Sequence, residues 1–238
     1  MTANIATEWK KQAARKALEF VKDGMALGLG TGSTTAFFIE MLGKKVQNGE
    51  LQGISAVPTS KKTAEQARQF GIPLTSLEQN PQLDLAVDGA DEVDPHLNLI
   101  KGLGKALLRE KIVEIHARRL VIIVDDSKLV TGLGRTAPLP VEIVAFQYQA
   151  QLRWLNTLGC QAELYQEDQG ERAGQPVITD NGNYMALCRF AEGISDPYAL
   201  DCSLASRPGI IESGLFLDMA DMVVVSGREG IRILEREA

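Results

Sequence analysis

MALGLGTGSTTAFFIEML, residues Met25 to Leu42, decides the fold. Met25 to Leu29 is a short apolar run, as expected of a buried strand. Gly28, Gly30 and Gly32 punctuate the turn after it, and Thr34 to Leu42 reads as a helix with Gly43 just beyond its end. A strand that passes through a glycine-rich turn into a helix is the opening unit of a parallel sheet. Upstream, Trp9, Ala13, Ala17 and Phe20 recur at helical spacing until Asp23-Gly24 breaks the pattern. Downstream the alternation continues. Ile54 to Val57, Leu83 to Val87 and Leu120 to Val124 read as strands, Lys61 to Phe70 and Lys105 to Arg118 as helices. Leu108, Ile112 and Ile115 share one apolar face of the last helix. Met222 to Ser226 reads as a further buried strand that rejoins this sheet.

After Asp125 the rhythm changes. Strands are expected at Val141–Val144, Ala162–Tyr165, Pro176–Thr179, Tyr184–Phe190 and Ile210–Leu217, with helices at Gln147–Leu158 and Asp196–Ser206. Asn181-Gly182 is a strong hairpin signal, because both residues accept the positive φ angles of a tight turn. The order β-α-β-β-α-β suggests a small split-βαβ domain. The expected fold is therefore a doubly wound, mostly parallel, Rossmann-like α/β sheet with an inserted smaller α+β ferredoxin-like domain. The expected boundaries are 1–131 with 207–238 for the larger domain and 132–206 for the smaller.

Composition narrows the function. The chain has 238 residues, 45% of them apolar and 24% charged, as in ordinary globular proteins. A net charge of −6 argues against a nucleic-acid partner, whose footprint is a basic face. Three scattered cysteines read as buried free thiols in a reducing compartment. With two histidines and no CxxC pair, a zinc site is not expected. The charged N-terminal stretch lacks the apolar centre of a secretory signal, and no run suits a membrane span of ~20 residues. A cytoplasmic protein without membrane or nucleic-acid partners is the expectation.

In an open parallel sheet, ligands bind beyond the carboxyl ends of the strands, and four polar clusters fall at such ends. Gly28 to Thr34 combines glycines, the free N–H groups of a helix start and the hydroxyls of Thr31, Ser33 and Thr34, which together suit a phosphate. A tight turn with an N-cap serine accounts for the same residues. The dinucleotide fingerprint fails at Ser33 and Thr35, and the Gly-Lys of a Walker loop is missing. Asp88-Gly89-Ala90-Asp91-Glu92 crowds carboxylates in a way that suits acid–base work, a Mg²⁺ ion or simply a solvated loop. Lys101-Gly102-Leu103-Gly104 can aim a cation and loop amides at one ligand oxygen, or form an ordinary turn. Glu110 lies near the face of Leu107 on its helix. Partial burial there makes a carboxylate a better base, while an exposed helix glutamate is the plain alternative. Lys128, in Asp125-Asp126-Ser127-Lys128, is a candidate second phosphate contact or a loop charge.

Taken in order, these stretches resemble the type A ribose-5-phosphate isomerases. The matching motifs are GLGTGST (28–34), VDGADE (87–92), KGLG (101–104), ALLREKI (106–112), DDSK (125–128), PLPVE (138–142) and TDNGN (179–183), so the resemblance covers almost the whole chain. It implies interconversion of ribose 5-phosphate and ribulose 5-phosphate without a cofactor, by a homodimer or dimer of dimers; no metal is expected from the residues. It implies substrate binding by Thr31, Gly32, Ser33 and Thr34, by Asp88, Gly89, Ala90 and Asp91, by Lys101, Gly102, Leu103 and Gly104, and by Lys128. It also implies Glu110 as the proton-transfer base. Three places depart from the commonest pattern: Leu103 replaces a glycine, Lys105 stands where Gly or Ala is usual, and Val57-Pro58-Thr59-Ser60 lacks a serine-rich stretch.

The residues suggest a mechanism of their own. Moving a proton between two carbons builds charge on an enediolate oxygen, for which Lys101 and the Gly102–Gly104 amides are the stabilisers. Asp88 and Asp91 shuttle hydroxyl protons and help open the sugar ring. A non-catalytic sugar-phosphate sensor is one rival, although no helix-turn-helix precedes the sheet. A related sugar-phosphate deaminase or CoA transferase is another, although His96 and His116 lie in none of the clusters.

Overall fold

The computed structural model describes residues 2–236. Its helices are Thr2–Leu18 (α1), Ser33–Gln47 (α2), Lys61–Gln69 (α3), Leu107–Glu114 (α4), Tyr148–Asn156 (α5) and Pro197–Ala205 (α6). Its strands are Ala26–Leu29 (β1), Ser55–Pro58 (β2), Leu85–Asp88 (β3), Glu92–Val93 (β4), Leu99–Ile100 (β5), Leu120–Asp125 (β6) and Leu139–Ile143 (β7). They continue with Gln161–Leu164 (β8), Tyr184–Arg189 (β9), Ile210–Ser213 (β10), Leu215–Phe216 (β11), Met222–Gly227 (β12) and Gly230–Glu235 (β13). Two compact units divide the chain. The first holds 1–90, 109–129 and 218–238; the second holds 91–108 and 130–217. The boundaries expected from the sequence put 91–108, 130–131 and 207–217 with the larger domain.

The first unit is a six-stranded sheet in the order β13-β12-β6-β3-β1-β2, parallel except for the β12–β13 pair. Strand side chains alternate in direction, and the two faces are covered by different helices. Leu27 and Leu29 of β1 join Ala13 and Ala17 of α1 and Phe38, Ile39 and Leu42 of α2 in one core. Ala26 and Val57 point the other way and pack with Val113 of α4. A Cβ at Gly28 would stand 3.0 Å from Val113 Cγ1, so the missing side chain brings α4 close to the sheet.

Helix α2 overturns one expectation. It runs through Gly43 to Gln47, and a Cβ on Gly43 would overlap Phe70. The glycine is a packing residue, and the helix ends at Asn48 and Gly49, whose φ is +73°. Helix α4 overturns two more. It begins at Leu107, because Lys105 adopts φ +70°, and its buried face is Leu107, Glu110, Val113 and Glu114. Ile112 and Ile115 are 43% and 63% exposed, so the apolar face read from the sequence is turned outward.

In the second unit, β7, β8, β9 and β10 form an antiparallel sheet in the order β10-β7-β9-β8, the ferredoxin-like arrangement. Its core holds Val141, Ile143, Leu155, Ala186 and Leu204 with the buried thiols of Cys160 and Cys188; Cys202 is exposed. The predicted strand Ile210–Leu217 breaks at Gly214. Its halves join different sheets, β10 with β7 and β11 with β5 in the small sheet β11-β5-β4. Pro176–Thr179 forms only isolated bridges, at Pro176 and Ile178. The Asn-Gly turn is anchored by Glu142, which is fully buried. Its Oε1 accepts from Thr179 Oγ1 (2.9 Å), Asn181 Nδ2 (3.1 Å) and Asn183 Nδ2 (2.8 Å). The PLPVE and TDNGN motifs therefore meet at this carboxylate.

Candidate active site

The candidate residues divide between the two units. In the first, the chain leaves β1 for β2 on one side and returns to β3 on the other, so the crevice beyond β1 and β3 is the switch point where such sheets bind ligands. Thr31 and Asp88 stand there. The Asp88 carboxylate, 1% exposed, accepts at Oδ1 from Thr31 N (3.1 Å), Thr35 Oγ1 (3.2 Å) and Gly89 N (2.7 Å). These donors fix its direction. Thr31 Oγ1 lies 2.8 Å from Thr59 Oγ1, 2.8 Å from Ser60 Oγ and 3.0 Å from Thr63 Oγ1. Thr63 Oγ1 in turn donates to Gly30 O (2.9 Å).

Gly32 and Ser33 are exposed at the start of α2. Gly32, not Ser33, occupies the cap position, and no side chain caps the helix. The free N–H groups and dipole therefore remain available to an anion, as the phosphate reading requires. Lys10 of α1 adds a cation at the same loop, donating from Nζ to Ser33 Oγ (2.9 Å). At the same edge of the sheet, the Asp125 side chain accepts from Ser127 N (3.1 Å) and shapes the short 3₁₀ turn that carries Lys128.

Glu110 is 2% exposed, so its carboxylate is buried and not on an exposed helix face. It lies one turn before Val113, the residue over Gly28. The segment after α4 bonds to the start of β3, His116 O accepting from Leu83 N and Arg118 N donating to Leu83 O (2.8 Å each). The helix C-terminus thus sits at the amino end of the sheet, and the turn bearing Glu110 points toward the carboxyl ends.

In the second unit, Asp91 and the Lys101–Gly104 loop come together. Asp91 Oδ2 accepts from Leu103 N at 3.0 Å. Lys101 is 2% exposed, its N–H donates to Gly214 O (2.9 Å), and its ammonium lies 5.2 Å from the centre of the Phe216 ring. Gly102 has φ +112°, and a Cβ there would stand 2.8 Å from Leu107 Cδ2, so only glycine fits. Glu92 leaves the acidic cluster altogether. It is fully buried and accepts from Gly134 N, Thr136 N, Thr136 Oγ1 and Ala137 N at 2.5–2.7 Å, so it organises a loop.

Known proteins resemble the chain as a whole. The family model for ribose 5-phosphate isomerase A (phosphoriboisomerase A) matches residues 55–230. The chain belongs to the ribose 5-phosphate isomerase A family. It is 48% identical over 227 residues to the ribose-5-phosphate isomerase A of Roseiflexus castenholzii, covering 95% of each chain. The solved ribose 5-phosphate isomerase of Plasmodium falciparum superposes with a TM-score of 0.92 at 36% identity, covering 98% of this chain and 100% of that one. Another solved D-ribose-5-phosphate isomerase, in complex with phospho-erythronic acid, gives 0.91 at 46% identity, covering 96% and 98%.

In this family member Lys10 and Thr63 join the candidate loop without being singled out in the sequence, and Thr59 and Ser60, noted there only as a departure from the family pattern, join it too. Thr59 and Ser60 carried a usable signal, since they follow a strand and Ser60 caps α3 by accepting from Thr63 N (3.0 Å). Lys10 carried none. It lies on a helix read only for its apolar face, and its partner is 23 residues away.

Proposed function

We propose that this chain interconverts ribose 5-phosphate and ribulose 5-phosphate through an enediolate, with Glu110 as the base. Family membership supports the reaction. The observation that carries the assignment of the base is a buried glutamate held on a rigid helix over the sheet. Glu110 takes the proton from C2 of the open-chain aldose and delivers it to C1. Meanwhile the C2 hydroxyl loses its proton and the C1 carbonyl oxygen gains one. Lys101 and the Gly102–Gly104 amides stabilise the oxygen on which charge develops. Asp88 and Asp91 relay the hydroxyl protons and assist ring opening. Thr31, Gly32, Ser33, Thr34 and Lys128, with Lys10 added, hold the phosphate, and that grip orients the reacting carbons.

Incubation of pure protein with ribose 5-phosphate in D₂O, followed by NMR, tests the reaction. Ribulose 5-phosphate should appear, with deuterium at C1 to the extent that protonated Glu110 exchanges with solvent. Binding without turnover would make the chain a sensor and sink the enzyme reading.

The reaction needs no metal in this scheme, so EDTA-treated protein should keep its activity. Glu92 is already occupied by four donors. Among the described residues, no group of three His, Cys, Asp or Glu side chains is placed to hold an ion. A large loss of rate restored by Mg²⁺ or Zn²⁺ would reverse this. A homodimer or dimer of dimers in the cytoplasm is the proposed setting, and sedimentation equilibrium reads the assembly. No helix among the described residues is long and apolar enough to cross a membrane.

A further inference from the structure

The loop that carries Lys101 ends on a residue with an unfavourable backbone. Lys105 has φ +70°, where a side chain is strained and glycine is free. Such strain persists where surrounding contacts hold it; the Lys105 N–H donates to Gly102 O (2.9 Å), and its side-chain contacts come from one short segment of the same unit. The Lys105 ammonium pairs with the Glu167 carboxylate and lies 5.4 Å from the centre of the Tyr165 ring. The Tyr165 hydroxyl donates to the carbonyl of Leu103 (3.3 Å), while Asp91 holds the Leu103 N–H. Leu103 is therefore tied at both of its backbone groups.

Packing holds the start of the loop, where Gly102 lies against Leu107, and less of its middle. Leu103 and Tyr165 border a half-open cleft of about 470 Å³, shared with Pro138, Leu187 and Arg189. Burial lifts the Tyr165 phenol above its ordinary range, opposed by the nearby Lys105, and the phenol remains a protonated donor.

We propose that Tyr165, Glu167 and Lys105 form a clamp that sets the position of the Lys101–Gly104 loop and thereby the affinity for the sugar phosphate. This rests on the reading that the loop binds substrate. Tyr165 and Glu167 are positioning residues, acting through the loop without touching the reacting atoms. A part-exposed ion pair contributes little to global stability, so the effect belongs in affinity and not in melting temperature.

The test is steady-state kinetics with ribose 5-phosphate on wild type, Tyr165→Phe, Glu167→Gln, Lys105→Gln and the double variant Lys105→Gln/Glu167→Gln. Tyr165→Phe keeps the ring and removes only the hydroxyl. Each single variant should raise KM about 3- to 10-fold with kcat within several-fold of wild type, the scale of one lost hydrogen bond or ion pair. The double variant should be no worse than either single one, because both remove the same pair. Melting temperatures should stay close to wild type, and exchange of the Leu103 amide should speed up in Tyr165→Phe. KM within about two-fold of wild type in all four variants would overturn the clamp. Wild type without turnover would instead fail the functional reading. The Leu103 exchange rate would then decide the clamp alone, an unchanged rate overturning it.

Discussion

Glu110→Gln should lower kcat by about 10²-fold or more while inhibitor affinity stays nearly unchanged, the scale and pattern of a lost general base. The amide keeps the shape of the side chain and can still hydrogen-bond, but it cannot accept a carbon-bound proton near neutral pH. The structure makes this a clean substitution. Glu110 is buried on α4, and that helix is fixed by Val113 over Gly28 and by the Leu83 bonds to His116 and Arg118. The backbone around position 110 therefore has no reason to move. Rapid-mix kinetics with ribose 5-phosphate and a binding isotherm for a non-reacting four-carbon acid phosphate separate the two quantities. A kcat near wild type would remove Glu110 from the mechanism and leave Asp88 or Asp91 as the base. A loss of affinity equal to the loss of rate would make Glu110 a binding group.

The sequence made the sheet legible and the helix faces less so. Buried strands such as Leu120–Asp125 are continuous apolar runs bounded by charge, which is what burial on both faces requires. Ile210 to Leu217 looked like one such run, but Gly214 splits it between two sheets. A Cβ at that position would overlap Lys101 O, a contact more than a hundred residues away in sequence. Gly43 failed as a helix terminator for the same reason: only Phe70 reveals that it is a packing residue. On and just after α4, Ile112 and Ile115 of the expected apolar face point outward, and Leu108 is half-buried. The face that carries the proposed base needs polar groups inside, so Glu110 and Glu114 are buried in their place. The strand β13 gave no signal because it lies at the sheet edge with most of its side chains exposed. The candidate residues were legible because strand ends are where this fold puts ligands. Glu92 was not separable from Asp88 and Asp91 by sequence, since its four donors lie more than forty residues on.

Gly30→Ala should cost as much activity as removing the Asp88 carboxylate. The reason is space and not backbone conformation, because Gly30 is not among the positive-φ residues. A Cβ at Gly30 would overlap the Asp88 carboxyl group. That carboxyl group cannot retreat cheaply: it is buried, and three donors from Thr31, Thr35 and Gly89 converge on its Oδ1. The added methyl either rotates Asp88 out of this nest or pushes β1 away from β3, where Gly30 N bonds to Val87 O at 3.0 Å. Rotation strands the three donors, and separation also displaces Thr31 and the hydroxyls of Thr59, Ser60 and Thr63 around it. Either outcome misplaces a proton relay and the phosphate loop together, and a displacement of that kind costs on the order of 10²-fold in kcat/KM. Gly49→Ala is the matched control. Its φ of +73° makes alanine strained there, but no atom lies within 4 Å of the added methyl, so stability should fall slightly and kinetics should not. The two variants, compared with Asp88→Asn by kcat/KM and thermal melting, separate loss of the site from loss of the fold. If Gly30→Ala retains kcat/KM within about three-fold of wild type, the Asp88 nest yields without consequence, and Asp88 is not a proton relay whose placement limits the reaction.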